Sequence, residues 1–201
     1  MEDLYTKVTE IFAQRHHIAH DIKHVTRVAK LAKYIAQQEG YDEKEAEIAG
    51  ILHDVGRSVQ DEEKGHGPAG APLAQELLDK FTDYNKETKE RILSAVESHS
   101  NLGTEGKLTH IVQDADMLDG LGAIGIMRAY TSKANLTDYD PENITPAIGK
   151  RDTNIHDQIA FQMEWVDFMH TPTAKKIATK RHDFMVNFLK EFSDEAQVLD
   201  F

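Results

Sequence analysis

Apolar residues recur three and four positions apart along nearly the whole chain, the repeat of a helix with one buried face. No stretch shows the two-residue alternation of a half-buried strand bounded by turn residues. The pattern predicts an all-α protein. Leu4, Val8, Ile11 and Phe12 mark a first helix ending near His16 and His17. Val25, Val28, Ala29, Ala32 and Ile35 mark a second, closed by Gly40, and Asp42 caps a third that carries Ala46, Ala49, Ile51 and Leu52. Gly56 ends that third helix, which places His53 and Asp54 in its last turn.

A polar stretch from about Arg57 to Pro68 reads as a loop, with Gly65, Gly67 and Pro68 as punctuation. Pro72 is then expected in the first turn of a helix burying Leu73, Leu77, Leu78 and Phe81. Ile92, Leu93 and Val96 define the next helix, which stops near residues 100–103. From Leu108 the period runs through Leu118 to Met127, and Gly120, Gly122 and Gly125 inside it predict a break or a close approach. Residues 131–152, with Pro141 and Pro146, are weakly periodic and form a candidate flap or insertion. A helix over Ile155–Met169 and a long one over Ala174–Phe192 complete eight to ten helices, and the C-terminal Met, Phe and Trp residues read as core or dimer interface, with core expected first. With no internal repeat and no long linker, residues 1–201 read as one compact helical domain, monomeric or homodimeric.

Composition narrows the chemistry. Cysteine is absent, which excludes disulfides, thiolate metal sites and a cysteine nucleophile. The formal charge of −12 repels nucleic acid and anionic lipid, and no basic stripe interleaved with aromatics appears. No apolar run reaches a membrane span and the N-terminus lacks a secretory pattern, so a cytoplasmic protein with neither nucleic-acid nor membrane partners is expected. Histidine, by contrast, is abundant at 11 residues.

His24, the adjacent pair His53 and Asp54, and Asp116 are the residues best suited to chemistry. Two imidazoles and two carboxylates suit a borderline or hard divalent ion. Of the His-Asp pairs in the chain, only His53-Asp54 lies between the apolar Ile51-Leu52 and Val55-Gly56. Asp114, Asp116 and Asp119 read equally as a solvated acidic face, but Asp116 stands between Ala115 and Met117-Leu118, where an uncompensated carboxylate is costly. His16, His20 and His24 fall at i, i+4 and i+8, which reads as one ligand and two ordinary helix histidines.

His24 in the setting DIKHVTRV, His53 and Asp54 in GILHDVG, and Asp116 in DADMLD resemble the H…HD…D signature of the HD-domain metal-dependent phosphohydrolase superfamily. Residues 122–129 and 169–176 resemble the small stand-alone bacterial members, so the likeness spans nearly the whole chain. The resemblance implies that His24, His53, Asp54 and Asp116 ligate one divalent metal ion, manganese first, with Mg, Fe, Co, Ni or Zn as alternatives. Asp114 and Asp119 are implied as residues supporting those ligands. Members of this type hydrolyse phosphoester or phosphoanhydride bonds, and some resemble nucleoside triphosphate pyrophosphohydrolases.

A small phosphorylated substrate, expected to be a nucleotide, needs local positive charge on an acidic protein. Arg27 lies one turn beyond His24, Arg57 follows the His53-Asp54 turn and Arg128 follows the Asp116 segment; Lys23 is a further candidate. Asp54 is expected to orient the attacking water, and His66 and His99 to serve as acid, base or phosphate contacts. Some relatives place extra histidines between the HD pair and the last Asp to hold a second metal. In this interval the chain has His66 and His99 but not the adjacent His-His pair and Gly-Tyr-Pro element of the cyclic-dinucleotide phosphodiesterase branch. The reaction expected is (deoxy)nucleoside triphosphate to monophosphate and pyrophosphate. The alternatives are a nucleoside monophosphate phosphatase or phosphodiesterase using the same residues, and a nucleotide-binding regulator without turnover.

Overall fold

Short polar side chains start the helices where the sequence places them. Asp21, Asp42, Asn85, Asn154 and Thr171 each accept a hydrogen bond from the backbone N–H three residues on, a cap that contributes about 1 kcal/mol. A computed structural model describes residues 2–14, 19–59, 65–142, 144–145, 149–151 and 153–199. Among these, the protein is all-α: α1 (Glu2–Ala13), α2 (Ile22–Gln38), α3 (Glu43–Leu52), α4 (His66–Phe81), α5 (Lys86–Ser98), α6 (Lys107–Asp119), α7 (Gly122–Ser132), α8 (Ile155–Met163) and α9 (Pro172–Ala196). Short 3₁₀ turns occupy Val55–Ser58 and Glu164–Phe168. The chain divides into two compact units, Met1–Asp116 and Met117–Phe201.

In the first unit α3 is the central element. Glu45, Ala46 and Ile48 through Leu52 are all buried, so helix neighbours cover it on nearly every side. A Cβ at Gly50 would stand 2.7 Å from Ala29 Cα, which shows how closely the α2 and α3 backbones approach. Glu45 is 4% exposed and is compensated by Arg91 from α5, whose Nε and Nη2 donate at 2.9 and 3.0 Å. Tyr41 donates to the same carboxylate. This pair ties α3 to α5 without leaving a buried charge uncompensated.

The helix after the HD pair begins earlier than Pro72. It starts at His66, and Pro72 lies in its interior. Gly67, which reads as a breaker in sequence, and Gly70 are approach points: a Cβ at Gly67 would lie 2.4 Å from Glu97 O, and one at Gly70 2.7 Å from Gly56 N. Tertiary contact therefore overrides the low helix propensity of glycine and the hydrogen bond that Pro72 removes. Residues 60–64 of the expected loop lie outside the described residues, and Val55–Ser58 is a 3₁₀ turn. Helix α1 ends at Ala13, short of His16 and His17, which are also outside the described residues.

In the second unit the glycine-rich run after Leu118 breaks between α6 and α7. Gly122 has φ +75°, a value that favours glycine, and its N–H donates to Met185 Sδ of α9 at 3.1 Å. Arg181, also of α9, donates to Leu118 O. The described residues between α7 and α8 carry no helix, and Thr137 O and Asp138 O accept from the N–H groups of Ile155 and His156. Pro146 and Asp152 of that segment lie outside the described residues. The expected helix over 155–169 gives way to a 3₁₀ turn at Glu164. Met169 and Met185 are core residues as expected, whereas Phe168 and Phe184, each one residue earlier in the chain, are half-exposed.

Replacing Gly50 by Ala drives a methyl into the α2 backbone. The expected loss is about 1–3 kcal/mol despite the better helix propensity of alanine, read as a Tm lowered by several degrees in thermal unfolding.

Candidate metal centre

Asp21 starts α2, and its side chain accepts from His24 N at 2.9 Å, which sets His24 in the first helical turn. His24 is fully buried and turned toward α3. His53 is the C-cap of α3, where the chain leaves helical geometry, and Asp54 follows it into the 3₁₀ turn. That change of path, rather than a last helical turn, is what lets two consecutive side chains reach one place. Asp116 comes from α6, its side chain 31% exposed.

The four residues converge. His24 Nε2 lies 3.4 Å from Asp116 Oδ1 and 3.6 Å from Asp54 Oδ2. His53 Nε2 lies 3.9 and 3.7 Å from the same two oxygens. His53 Nδ1 donates to Gly50 O at 2.7 Å, so the proton sits on Nδ1 and the Nε2 lone pair faces the carboxylates. That Nε2 is buried and has no hydrogen-bond partner, an arrangement that costs free energy unless a cation accepts the lone pair.

The two oxygens of Asp54 face different companies. Oδ2 accepts from His20 Nδ1 at 2.7 Å, beyond its approach to His24 and His53. Oδ1 accepts from Arg57 Nε at 2.8 Å and lies 3.4 Å from His66 Nε2 and 3.6 Å from His99 Nε2. His66 and His99 are themselves 2.9 Å apart through their Nε2 atoms, and Arg57 Nη2 is 3.3 Å from that of His66. His99 is the C-cap of α5 and donates Nδ1–H to Val96 O at 2.7 Å, repeating the device of His53. Gln113 Nε2 donates to Ser98 O and Asn101 O, fastening the turn that carries His99 to α6.

Charge states follow from this packing. Burial opposes ionisation of Asp54 and Asp116, yet the imidazoles of His53 and, for Asp116, His24 outweigh it; Asp54 titrates well below the usual carboxylate range and Asp116 at about 2. Burial lowers His53 and His66 to about 4, against the pull of Asp54. His99 is raised, because the hydrogen bond with Asp54 and the nearby carboxylates overcome its burial. Ionised carboxylates beside neutral His53 are the protonation state that metal binding requires. The donor sets His24, His53 and Asp116; His20, His24 and Asp54; and His53, Asp54 and His99 each bring their ligand atoms within 4.8 Å of one another, so the cluster is able to hold a divalent ion.

The other sequence candidates fall in different places. Arg57, His66 and His99 stand at Asp54. Arg27 follows His24 by one turn on α2 and is half-buried, and Lys23 on the same helix is exposed. Asp114 is fully buried on α6. Asp119 and Arg128 pair with each other at 3.1 Å within the second unit. His20 is the residue that the helical reading of the His16, His20 and His24 spacing missed. It precedes the cap of α2, so it is not on that helix, and it turns onto Asp54 instead. The available signal was Asp21: a cap at that position takes His20 off the helix.

Residues 21–121 match the HD domain. The chain belongs to the HD-domain family and is an HD-superfamily metal-dependent phosphohydrolase. Its fold is similar to that of an HD-superfamily hydrolase from Bacillus thuringiensis, with TM-score 0.77 and 30% identity over 96% of this chain and 95% of that one. The Bacillus subtilis protein YpgQ is 29% identical over 90% of this chain and 86% of its own length. The crystal structure of YpgQ in complex with ADP aligns with TM-score 0.74 over 96% of this chain and 93% of that one, at 25% identity. Ribonuclease Y of Oleidesulfovibrio alaskensis is 34% identical over 49% of this chain but only 18% of its own length. No helix among the described residues is long and apolar enough to cross a membrane.

His53→Ala is expected to leave the helical circular dichroism spectrum intact while lowering the divalent metal retained after loading and dialysis, measured by elemental analysis, at least about 10-fold. Unchanged metal content would remove His53 from the site.

Proposed function

We propose that the chain hydrolyses a (deoxy)nucleoside triphosphate to the monophosphate and pyrophosphate, with His24, His53, Asp54 and Asp116 holding manganese. The observation that carries this reading is the convergence of two buried imidazoles and two ionised carboxylates beside Arg57, His66 and His99. The ADP complex of YpgQ supports a nucleotide as the ligand class. A divalent ion in such a shell supplies a Lewis acid for a phosphoryl oxygen or makes water a competent nucleophile at neutral pH.

The protein's own groups do the rest. Asp54 orients the attacking water, and the His66 and His99 pair, held together at 2.9 Å, receives or returns the proton. Attack at the α phosphorus breaks its bond to the bridging oxygen, and pyrophosphate leaves. Arg57, kept in place by Asp54 Oδ1, supplies positive charge beside the transferred phosphoryl group. Arg27, Lys23 and Arg128 are the further phosphate contacts of this reading, and Asp114 and Asp119 the supports. The net charge of −12 favours a small anion over a polynucleotide.

A product-resolved assay of manganese-loaded protein against nucleoside mono-, di- and triphosphates and short RNA tests it. Pyrophosphate release from triphosphates is expected, reduced by about 10²–10⁴-fold in Asp54→Ala. Inorganic phosphate from monophosphates would replace the reading with a phosphatase, shortened RNA with a nuclease, and saturable nucleotide binding without product with a regulator.

A further inference from the structure

Asp54 Oδ2 is the point on which three imidazoles converge. His20 Nδ1 lies 2.7 Å from it, His24 Nε2 3.6 Å and His53 Nε2 3.7 Å. His24 and His53 belong to the HD signature; His20 does not. His20 stands before Asp21, outside α2, with its ring edge-on to that of His24 at a centroid separation of 5.1 Å. The ligand atoms of His20, His24 and Asp54 lie within 4.8 Å of one another, as do those of His24, His53 and Asp116. The two sets share His24. A single ion with bonds of about 2.0–2.2 Å spaces its ligand atoms about 3 Å apart at neighbouring positions and about 4 Å apart at opposite ones, and the 2.7 and 3.6 Å separations of Asp54 Oδ2 from His20 Nδ1 and His24 Nε2 are near such spacings.

A second observation points the same way. His53 Nε2, fully buried, has its lone pair directed at the two carboxylates and no hydrogen-bond partner. Its distances of 3.7 and 3.9 Å to Asp54 and Asp116 are too long for hydrogen bonds and suit ligands that face a common centre. His20 borders that centre along its Asp54 and His24 edge, and its side chain is 29% exposed where His24 and His53 are at 0%.

We infer that His20 is a fifth protein donor, through Nδ1, to the ion held by His24, His53, Asp54 and Asp116, and closes the shell on its exposed side. The inference rests on the metal reading of the site. Ligation through Nδ1 replaces its hydrogen bond to Asp54 and places the proton of the neutral ring on Nε2. Three imidazole nitrogens and two carboxylate oxygens leave one position of six for water or a phosphoryl oxygen. Such a nitrogen-rich shell selects Mn, Fe, Co, Ni or Zn over Mg, which prefers oxygen ligands and keeps several of its waters. His20 is thus the residue that sets metal choice.

His20→Asn separates ligation from hydrogen bonding. Its amide N–H stands near the position of Nδ1 and can still donate to Asp54, but the imidazole donor is gone; His20→Ala removes both. The full-length protein and both variants are loaded with Mn(II), and bound imidazole nitrogens are counted by pulsed electron paramagnetic resonance, with Mn affinity measured in competition with Mg. Three nitrogens are expected in the unsubstituted protein and two in each variant. Mn affinity is expected to fall about 10–100-fold, with the preference for Mn over Mg falling at least about 10-fold. Two nitrogens in the unsubstituted protein would overturn the assignment and leave the hydrolase reading standing. So would a His20→Asn protein that matches the unsubstituted one in nitrogen count and affinity. Failure of the unsubstituted protein to take up Mn would overturn both.

Discussion

A carboxylate that is 1% exposed stays ionised only if the fold brings it enough donors, and the first unit is arranged to do so for Asp54. Its neighbours come from six segments of that unit. His20 comes from before α2, His24 from α2, His53 from the end of α3, Arg57 from the 3₁₀ turn, His66 from the start of α4 and His99 from the end of α5. Bringing six segments to one oxygen pair requires backbones to approach more closely than side chains normally allow. Gly50 admits α2 to α3, Gly56 and Gly70 admit the turn to α4, and Gly67 admits α4 to α5. The glycines and the buried charge are two sides of one requirement.

That requirement explains what could be read in advance. The helices were legible because amphipathic periodicity reports a buried face directly, and Asp42 announced itself as a cap in the same way. The apolar settings of His53-Asp54 and Asp116 marked them in the sequence, His24 was added by the family resemblance, and the fold brings the four side chains together. The start of α4 was not, since a glycine that permits contact and a glycine that breaks a helix look alike until the contacting backbone is known. His20 was obscured for a related reason. Its bond to Asp54 spans 34 residues, and no local period records it. Asp119 and Arg128 were each recognised as unusual charges, but their pairing with each other follows from the turn of α7 and not from their proximity to a motif.

The overall charge and the site also fit together. A surface of −12 repels a polyanion along its whole length, whereas a small phosphate ester feels chiefly the groups within about a Debye length of 8–10 Å. Within that distance of Asp54 lie Arg57 and four imidazoles besides His24, and the long-range field and the local one therefore act as successive filters. In the proposed function, the first disfavours a polyanion. The second admits an anion only where compensating groups are already in place.

His53 and His99 share one further property. Each terminates a helix, and each places its Nδ1 proton on the carbonyl three residues back. The tautomer of both rings is thus dictated by where α3 and α5 stop, with no side chain involved. Neighbouring residues can be exchanged freely without altering that instruction, provided the helix still ends at the same place. A chain built this way can drift far from its relatives in amino-acid identity while its chemistry stays constant, because what must be inherited is a length of helix.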